Sequence, residues 1–296
     1  LHYPLRRQRQ MCIRDRVNIH TLPFKLMENT MSYKLNYWNV PGRGESIRLM
    51  LAIGGFQFEN NFIPLPLPIP NPPDLSPAPF DDGTWSEMKG STPWGSVPTL
   101  TLPDGESFGQ QRAIVRYLGK LIQREGYPLY PTDAREALLV DSFMDALEDI
   151  WPIIVGLNGP DSMETAPLYN TMLGKPYLMD FLNEGMKRGE GNLAFLFDNL
   201  EKNLSTGPYV LGDIPSCADV LIFAAFAWWG AGMFPGLDLI VDGRPKLQTL
   251  IKNVARWPEV KNYYESLKQS REEMPRVGEI DYKDYYKVYH ELCELA

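Results

Sequence analysis

Histidine and cysteine are scarce in this chain. Only three of 296 residues are histidine, His2, His20 and His290, all near the ends. A Ser-His-acid triad, a Cys-His pair or a histidine-ligated zinc therefore has almost nothing to be built from. The cysteines, Cys12, Cys217 and Cys293, are odd in number and form no CxxC. That reads as a reduced, cytoplasmic chain with neither a disulfide framework nor a dithiol redox site. Basic charge is short as well: 29 Lys and Arg face 37 Asp and Glu, a net −8, which argues against nucleic acid as a partner. Long apolar runs are missing too. Val220 to Phe234 is broken by glycine and falls short of the ~20 residues a membrane span needs. What remains, 44% hydrophobic and 22% charged, is ordinary for a globular protein. At about 150 residues per domain the length predicts two domains.

Residues 1–30 stand apart. They carry Arg6, Arg7, Arg9, Arg14, Arg16 and Lys25 against Asp15 and Glu28. An arginine-rich start raises a transit peptide as one reading, but it lacks an apolar face. The other reading is a non-native or disordered extension, with Met31, or else Met27, as the native start.

From Ser32 the pattern becomes regular. Ser32 to Trp38 alternates polar and apolar residues and predicts a strand. The turn Asn39-Val-Pro-Gly-Arg-Gly44 leads to a helix from Glu45, stopped by Gly54-Gly55. Phe56 to Ile63 predicts a second strand. The stretch Pro64 to Pro79 holds eight of 26 prolines and reads as a polyproline surface insertion over 64–83. A short helix at Trp85 to Lys89 follows, then a hairpin of Val97–Leu102 and Glu106–Phe108 around Pro103-Asp-Gly105. A helix over 110–123 completes a small α/β domain, 31–125, and Gly126 to Pro131 reads as a linker.

Beyond the linker strand signals almost vanish, which predicts an all-α domain over 132–275. Thr132 or Asp133 caps a helix whose Val140, Phe143, Met144, Leu147 and Trp151 recur at helical spacing. More helix is expected within 176–204. Ser216-Cys-Ala-Asp219 is a capping box before a run that is apolar all round, hence central to the domain. Helices near 247–256 and 258–269 close it, and 276–296 is a tail without assignment.

Four segments taken together resemble a known family. Tyr33-Lys-Leu-Asn-Tyr37-Trp-Asn-Val-Pro-Gly-Arg43-Gly-Glu45, Val97-Pro98-Thr-Leu, Gln110-Gln-Arg-Ala-Ile-Val-Arg-Tyr-Leu118 and Gly212-Asp-Ile-Pro-Ser216-Cys-Ala-Asp219 are similar, in order, to cytosolic glutathione S-transferases of the sigma class and its mu and pi relatives. The resemblance runs from about Tyr33 to Val277 and leaves out the proline-rich insertion. It implies a thioredoxin-like α/β domain followed by an all-helical one, a homodimer, glutathione as co-substrate and a small hydrophobic electrophile as second substrate. No metal, nucleic acid or membrane partner is expected.

The chemistry needs a sulfur anion. A thiol of pKa near ~8.5 must lose about two units to be thiolate at neutral pH, which requires roughly 2.7 kcal/mol of preferential stabilisation. A tyrosine hydroxyl, with its own pKa near ~10, can donate the necessary hydrogen bond without competing for the proton. From the strand pattern alone Tyr37 reads as a core aromatic. The resemblance makes it the thiol-activating donor and Arg43 the neighbouring cation. It places the ligand's cysteinyl backbone along Gly95, Ser96, Val97 and Pro98, with a cis bond before Pro98. The γ-glutamyl carboxylate falls at the helix start Gln110-Gln111, where glutamine replaces the family's usual serine. Trp85 and Lys89 are assigned to the glycine carboxylate, and Asp149 to the ammonium of glutathione in the partner subunit.

The bland alternatives are a surface helix for Trp85 and Lys89, a solvated acidic face for Asp141, Asp145, Glu148 and Asp149, and a turn-exposed Arg43. Ser216 and Asp219 are structural. A non-catalytic dimer binding hydrophobic ligands or serving structurally is the alternative function, and a prostaglandin isomerase is a third option.

Overall fold

A computed structural model of the chain describes residues 32–63, 83–155, 193–229, 241 and 243–269, all within the unit Ser32–Ala296. The expectations for 1–30, for 64–83 apart from Gly83, and for 276–296 lie outside the described residues.

The α/β part begins with β1, Tyr33–Trp38, whose Tyr33, Leu35 and Tyr37 are buried in strict alternation, as one face of a pleated strand requires. Helix α1, Gly42–Ile53, follows and is buried along almost its whole length. It starts three residues earlier than the sequence predicts, because Gly42, at φ 44°, accepts a backbone turn that a side chain would resist. Strand β2, Phe58–Ile63, pairs parallel to β1, which makes a β-α-β unit. A short helix α2, Thr84–Lys89, buries none of its residues.

Strands β3, Thr99–Thr101, and β4, Ser107–Gly109, form the expected antiparallel hairpin, and β3 pairs antiparallel with β1. The sheet order is β2-β1-β3-β4, so β1 is central and its C-terminal end opens beside the start of β3. Asn36 is held there from both sides: it donates to Thr99 Oγ1 at 3.0 Å and accepts from Asn61 Nδ2 at 2.8 Å. Helix α3, Gln111–Leu121, closes this part.

The expected linker is in part a second hairpin, β5, Gln123–Arg124, with β6, Tyr127–Pro128. Its turn residues Glu125 and Gly126 both have positive φ, 54° and 87°, the signature of a type I′ turn. Glutamate at the first of these positions hides the signal, which asparagine or aspartate would have announced.

Everything further is helical among the described residues, apart from two isolated bridges near Tyr209–Ile214. Helix α4 spans Ala134–Val155. Its cap is Asp133, whose Oδ1 accepts from Arg135 N at 2.9 Å and Glu136 N at 3.0 Å. Helices α5, Leu193–Asn203, α6, Cys217–Trp229, α7, Pro245–Ala255, and α8, Pro258–Gln269, complete the set. All thirteen residues of α6 are buried, and it packs against α1, α3, α4 and α7. At ~1.5–3 kcal/mol for each large side chain buried, it is the main support of the helical part and fixes α1 from behind. The chain is thus a thioredoxin-like α/β domain followed by an all-helical one.

Candidate active site

The site is organised around the junction of β1 and α1. The alternation of β1 turns Tyr37 to the buried side, and its ring lies against the first turn of α1. A Cβ on Gly44 would overlap the Tyr37 ring at Cδ1, and one on Gly42 would come within 2.6 Å of the Tyr37 hydroxyl. The Gly-Arg-Gly sequence is therefore a fit between a helix start and a phenol.

Because the helix comes this close, the backbone N–H of Arg43 donates to the Tyr37 hydroxyl oxygen at 2.9 Å. This is an amide of the first helical turn, whose N–H groups have no partner inside the helix. The hydroxyl thus rests on polar backbone, while the rest of the ring joins the core. Burial raises the Tyr37 pKa above its ordinary value near 10; the charge of Arg43, its amide and the charge of Arg48 pull the other way. Tyr37 is accordingly a neutral phenol at physiological pH, with its oxygen already accepting and its proton available for donation.

Asn36 pairs with Thr99, and continuing that register brings Tyr37 opposite Pro98. The Val97–Pro98 bond is cis. Pro98 is buried, and Gly95, Ser96 and Val97 before it are half-buried.

The Arg43 side chain leaves the α/β part. Its guanidinium pairs with Glu148 on α4 and stacks over Trp151 at 5.1 Å from the ring centroid. Two more acids of the α4 stripe are met in the same way. Arg116 on α3 reaches Asp141 at 2.6 Å, and Arg112 pairs with Asp145. The acidic stripe expected to want a cation thus has arginines from α1 and α3 at three of its four positions. The fourth, Asp149, is exposed.

At the start of α3 Gln110 is exposed and adopts φ 72°, ψ 103°, a conformation that costs a non-glycine residue about 1–3 kcal/mol and persists only when its surroundings enforce it. The enforcement is next door. Gln111 is buried, and its amide donates to Ser46 Oγ on α1 at 2.8 Å. The Gln111 side chain is therefore turned inward, where it pins α3 to α1.

Trp85 stacks edge-on against Trp38, ring centroids 4.9 Å apart, which ties α2 to the residue after Tyr37. Lys89 is exposed, with its Cε 4.0 Å from the position of a Cβ on Gly95. Trp85 thus touches the end of β1, and Lys89 lies near Gly95.

In the helical part Ser216 N and Ser216 Oγ donate to Asp219 Oδ2 at 2.7 and 2.8 Å, and Val210 N donates to Oδ1 at 2.8 Å. Burial pushes the Asp219 carboxyl up to about 7 against the pull of these donors. The thiol of Cys217 is buried too, and burial raises its pKa, the opposite of a reactive cysteine. Among the described residues no group of three or more His, Cys, Asp or Glu side chains could hold a metal ion, and no helix is long and apolar enough to cross a membrane.

The sequence matches a family model over residues 183–267, described as the glutathione S-transferase C-terminal domain. A probable glutathione S-transferase 7 of Caenorhabditis elegans is 28% identical, over 64% of this chain and 76% of its own length. The chain is also 25% identical to S-crystallin 4 of Enteroctopus dofleini, over 82% of this chain and 99% of that protein. Among solved structures, the prostaglandin synthase D of Nilaparvata lugens superposes with a TM-score of 0.57 at 24% identity, covering 79% of this chain and 97% of the other.

These matches support a glutathione S-transferase enzyme, with that family's C-terminal domain over residues 183–267.

Helix α1 also contains site-shaping residues that are not evident from the sequence. In the sequence Glu45 marks only the start of the helix, yet Glu45 and Arg48 lie fully buried within α1 as an ion pair at 3.0 Å. Buried charges must be paired and hydrogen-bonded to be tolerated, and this pair is: Tyr264 of α8 donates to Glu45 Oε1 at 3.0 Å. The available signal was an acid and a base three apart, Glu45 and Arg48, within a mostly apolar helix.

Proposed function

We propose that this glutathione S-transferase activates the thiol of glutathione with the Tyr37 hydroxyl and conjugates it to soft electrophiles. One observation carries the reading. The Arg43 amide occupies the phenol oxygen at 2.9 Å, so the phenol proton is the part of Tyr37 left to act on a ligand. Donating it to the sulfur favours the thiolate. The thiol proton leaves to solvent, the thiolate carbon–sulfur bond forms, and the leaving group of an aryl halide departs as halide.

Under this reading Gly95, Ser96, Val97 and Pro98 line the backbone of the tripeptide, adding it to the sheet at the end of β3 as a short extra strand. The start of α3 at Gln110 and Gln111 takes the γ-glutamyl carboxylate through unpaired backbone N–H groups. Trp85 and Lys89 take the glycine carboxylate. Arg43 acts through its backbone on Tyr37 and through its charge on both phenol and sulfur, while its guanidinium stays on Glu148. The α/β domain, 31–125, holds glutathione, and the second substrate lies against the helical domain, 132–275. A homodimer in the cytoplasm, with Asp149 reaching the ammonium of the partner subunit's glutathione, completes the proposal.

The second reading is a non-catalytic dimer. It draws support from the similarity to a protein named S-crystallin and from the glutamine at 111. The test is purification on immobilised glutathione followed by conjugation of an activated chloronitrobenzene. Retention with turnover, and a Tyr37→Phe variant that is retained but about 100-fold slower, as expected for loss of roughly 2.7 kcal/mol, supports the enzyme. Retention without turnover on a panel of electrophiles and peroxides supports the second reading.

A further inference from the structure

The loop between Tyr37 and Arg43 turns three carbonyl groups inward. Arg48, one turn further along α1, receives them: its Nη1 donates to Val40 O at 3.2 Å and Pro41 O at 3.3 Å, and its Nη2 to Trp38 O at 3.5 Å. Its Nε donates to Asn60 Oδ1 on β2 at 3.0 Å. The guanidinium plane lies 5.8 Å from the Tyr37 ring centroid and 5.2 Å from that of Phe62. Arg48 is 1% exposed, so water does not substitute for these contacts. Glu45 Oε2 accepts from the same Nη1 at 3.0 Å, and Glu45 Oε1 accepts from the Tyr264 hydroxyl of α8 at 3.0 Å.

We propose that Arg48, braced by Glu45 and Tyr264, is a positioning residue for thiol activation. It fixes residues 38–41 and with them the amide that Arg43 presents to Tyr37, and it ties that geometry to the helical domain. The inference rests on the reading of Tyr37 as thiol activator and deepens it.

The argument is geometric. The phenol and the amide are separated by five residues, of which 39–41 lie outside strand and helix, so their mutual position depends on what holds the intervening carbonyls. Buried carbonyls demand donors, and only a guanidinium presents five N–H groups in a fixed plane. A lysine there keeps the charge but offers one nitrogen to acceptors on several sides. The Glu45 carboxylate fixes the guanidinium in turn, and the Tyr264 hydroxyl fixes the carboxylate. The charged groups near the phenol are two ion pairs, Arg43–Glu148 and Glu45–Arg48, and a displacement of Arg48 reaches the hydroxyl through the carbonyls of residues 38, 40 and 41 that it holds.

The experiment titrates the ultraviolet thiolate band of glutathione bound to the full chain, with kcat/KM measured across the same pH range. Wild type, Arg48→Lys, Tyr264→Phe and Asp219→Ala are compared. Asp219→Ala, in the cap of α6, serves as a variant weakened elsewhere in the fold. A rise of one pKa unit lowers the thiolate fraction about tenfold at pH below the midpoint. Arg48→Lys is expected to lower kcat/KM at neutral pH about 10-fold, and Tyr264→Phe about 3-fold. Both recover toward wild type in alkali, with KM for glutathione within about twofold.

Asp219→Ala is expected to keep the wild-type thiol midpoint. If Arg48→Lys fails to fold, Tyr264→Phe, which loses a single hydroxyl, decides alone. A folded Tyr264→Phe with the wild-type midpoint overturns the proposal, as does an Asp219→Ala shift of equal size. A wild type showing no thiolate band overturns the reading of Tyr37 and this inference with it. A band that Tyr37→Phe loses, and that Arg48→Lys and Tyr264→Phe leave unmoved, overturns this inference alone.

Discussion

The backbone N–H of Arg43 donates to the hydroxyl oxygen of Tyr37 at 2.9 Å, and this contact sets the polarity of the site. A phenol can accept and donate at once. With its oxygen accepting from a helix-start amide, the phenol proton is available for donation. The same contact explains the glycines on either side of Arg43, since a Cβ at either position would displace the ring or its hydroxyl.

Tyr37 is expected to remain a phenol well into alkali. Burial raises its pKa above 10, so the folded state holds its proton when the unfolded chain has lost it. The sign follows: the stability this group contributes is full below ~10 and is lost as pH rises through the folded value. A wild-type minus Tyr37→Phe difference spectrum titrated with base should show phenolate appearing only above pH ~10. An inflection below pH ~9 would show a tyrosinate base instead of a donor.

Gly44→Ala is expected to disable the site without touching any charged group. The new methyl overlaps Tyr37 at Cδ1 and sits 2.7 Å from Cγ, and over-packing of this kind costs about 1–3 kcal/mol. Denaturant unfolding should report that loss, and turnover should fall by more than tenfold as the phenol shifts. Wild-type turnover in Gly44→Ala would mean that the hydroxyl position is not critical.

Asp219→Ala should cost stability while sparing chemistry. It removes the acceptor of two backbone N–H groups and one hydroxyl, a loss of about 2 kcal/mol. Turnover per folded molecule is expected to be unchanged. Because the folded carboxyl sits at about 7, above its unfolded value near ~3.9, the gap between wild type and variant should narrow as pH rises from about 4 to about 7. A gap that widens over that range would show that the carboxylate is the form the cap favours.

The legible parts of this protein were those with local signatures. Alternation gave β1, the apolar helical run gave α6, and Pro103-Asp-Gly105 gave the hairpin. The hairpin at Glu125-Gly126 escaped because its turn residue is unusual. The buried Glu45–Arg48 pair escaped for a different reason. Periodicity sorts residues by average hydrophobicity, and the i, i+3 spacing of Glu45 and Arg48 does not reveal that Tyr264, more than 200 positions away, donates to the buried pair. The inward path of the Gln111 amide to Ser46 is hidden in the same way, since it depends on how α3 lands on α1. Tyr37 was readable only through its company: strand pattern alone places it in the core, where its ring indeed lies, and the following Gly-Arg-Gly places its oxygen.

The most direct test of the central claim is the midpoint of the thiolate band of bound glutathione in wild type and in Tyr37→Phe. The account predicts a wild-type midpoint about two units below the free thiol value of ~8.5, and a return to near ~8.5 when the hydroxyl is removed. Equal midpoints in the two proteins would contradict it.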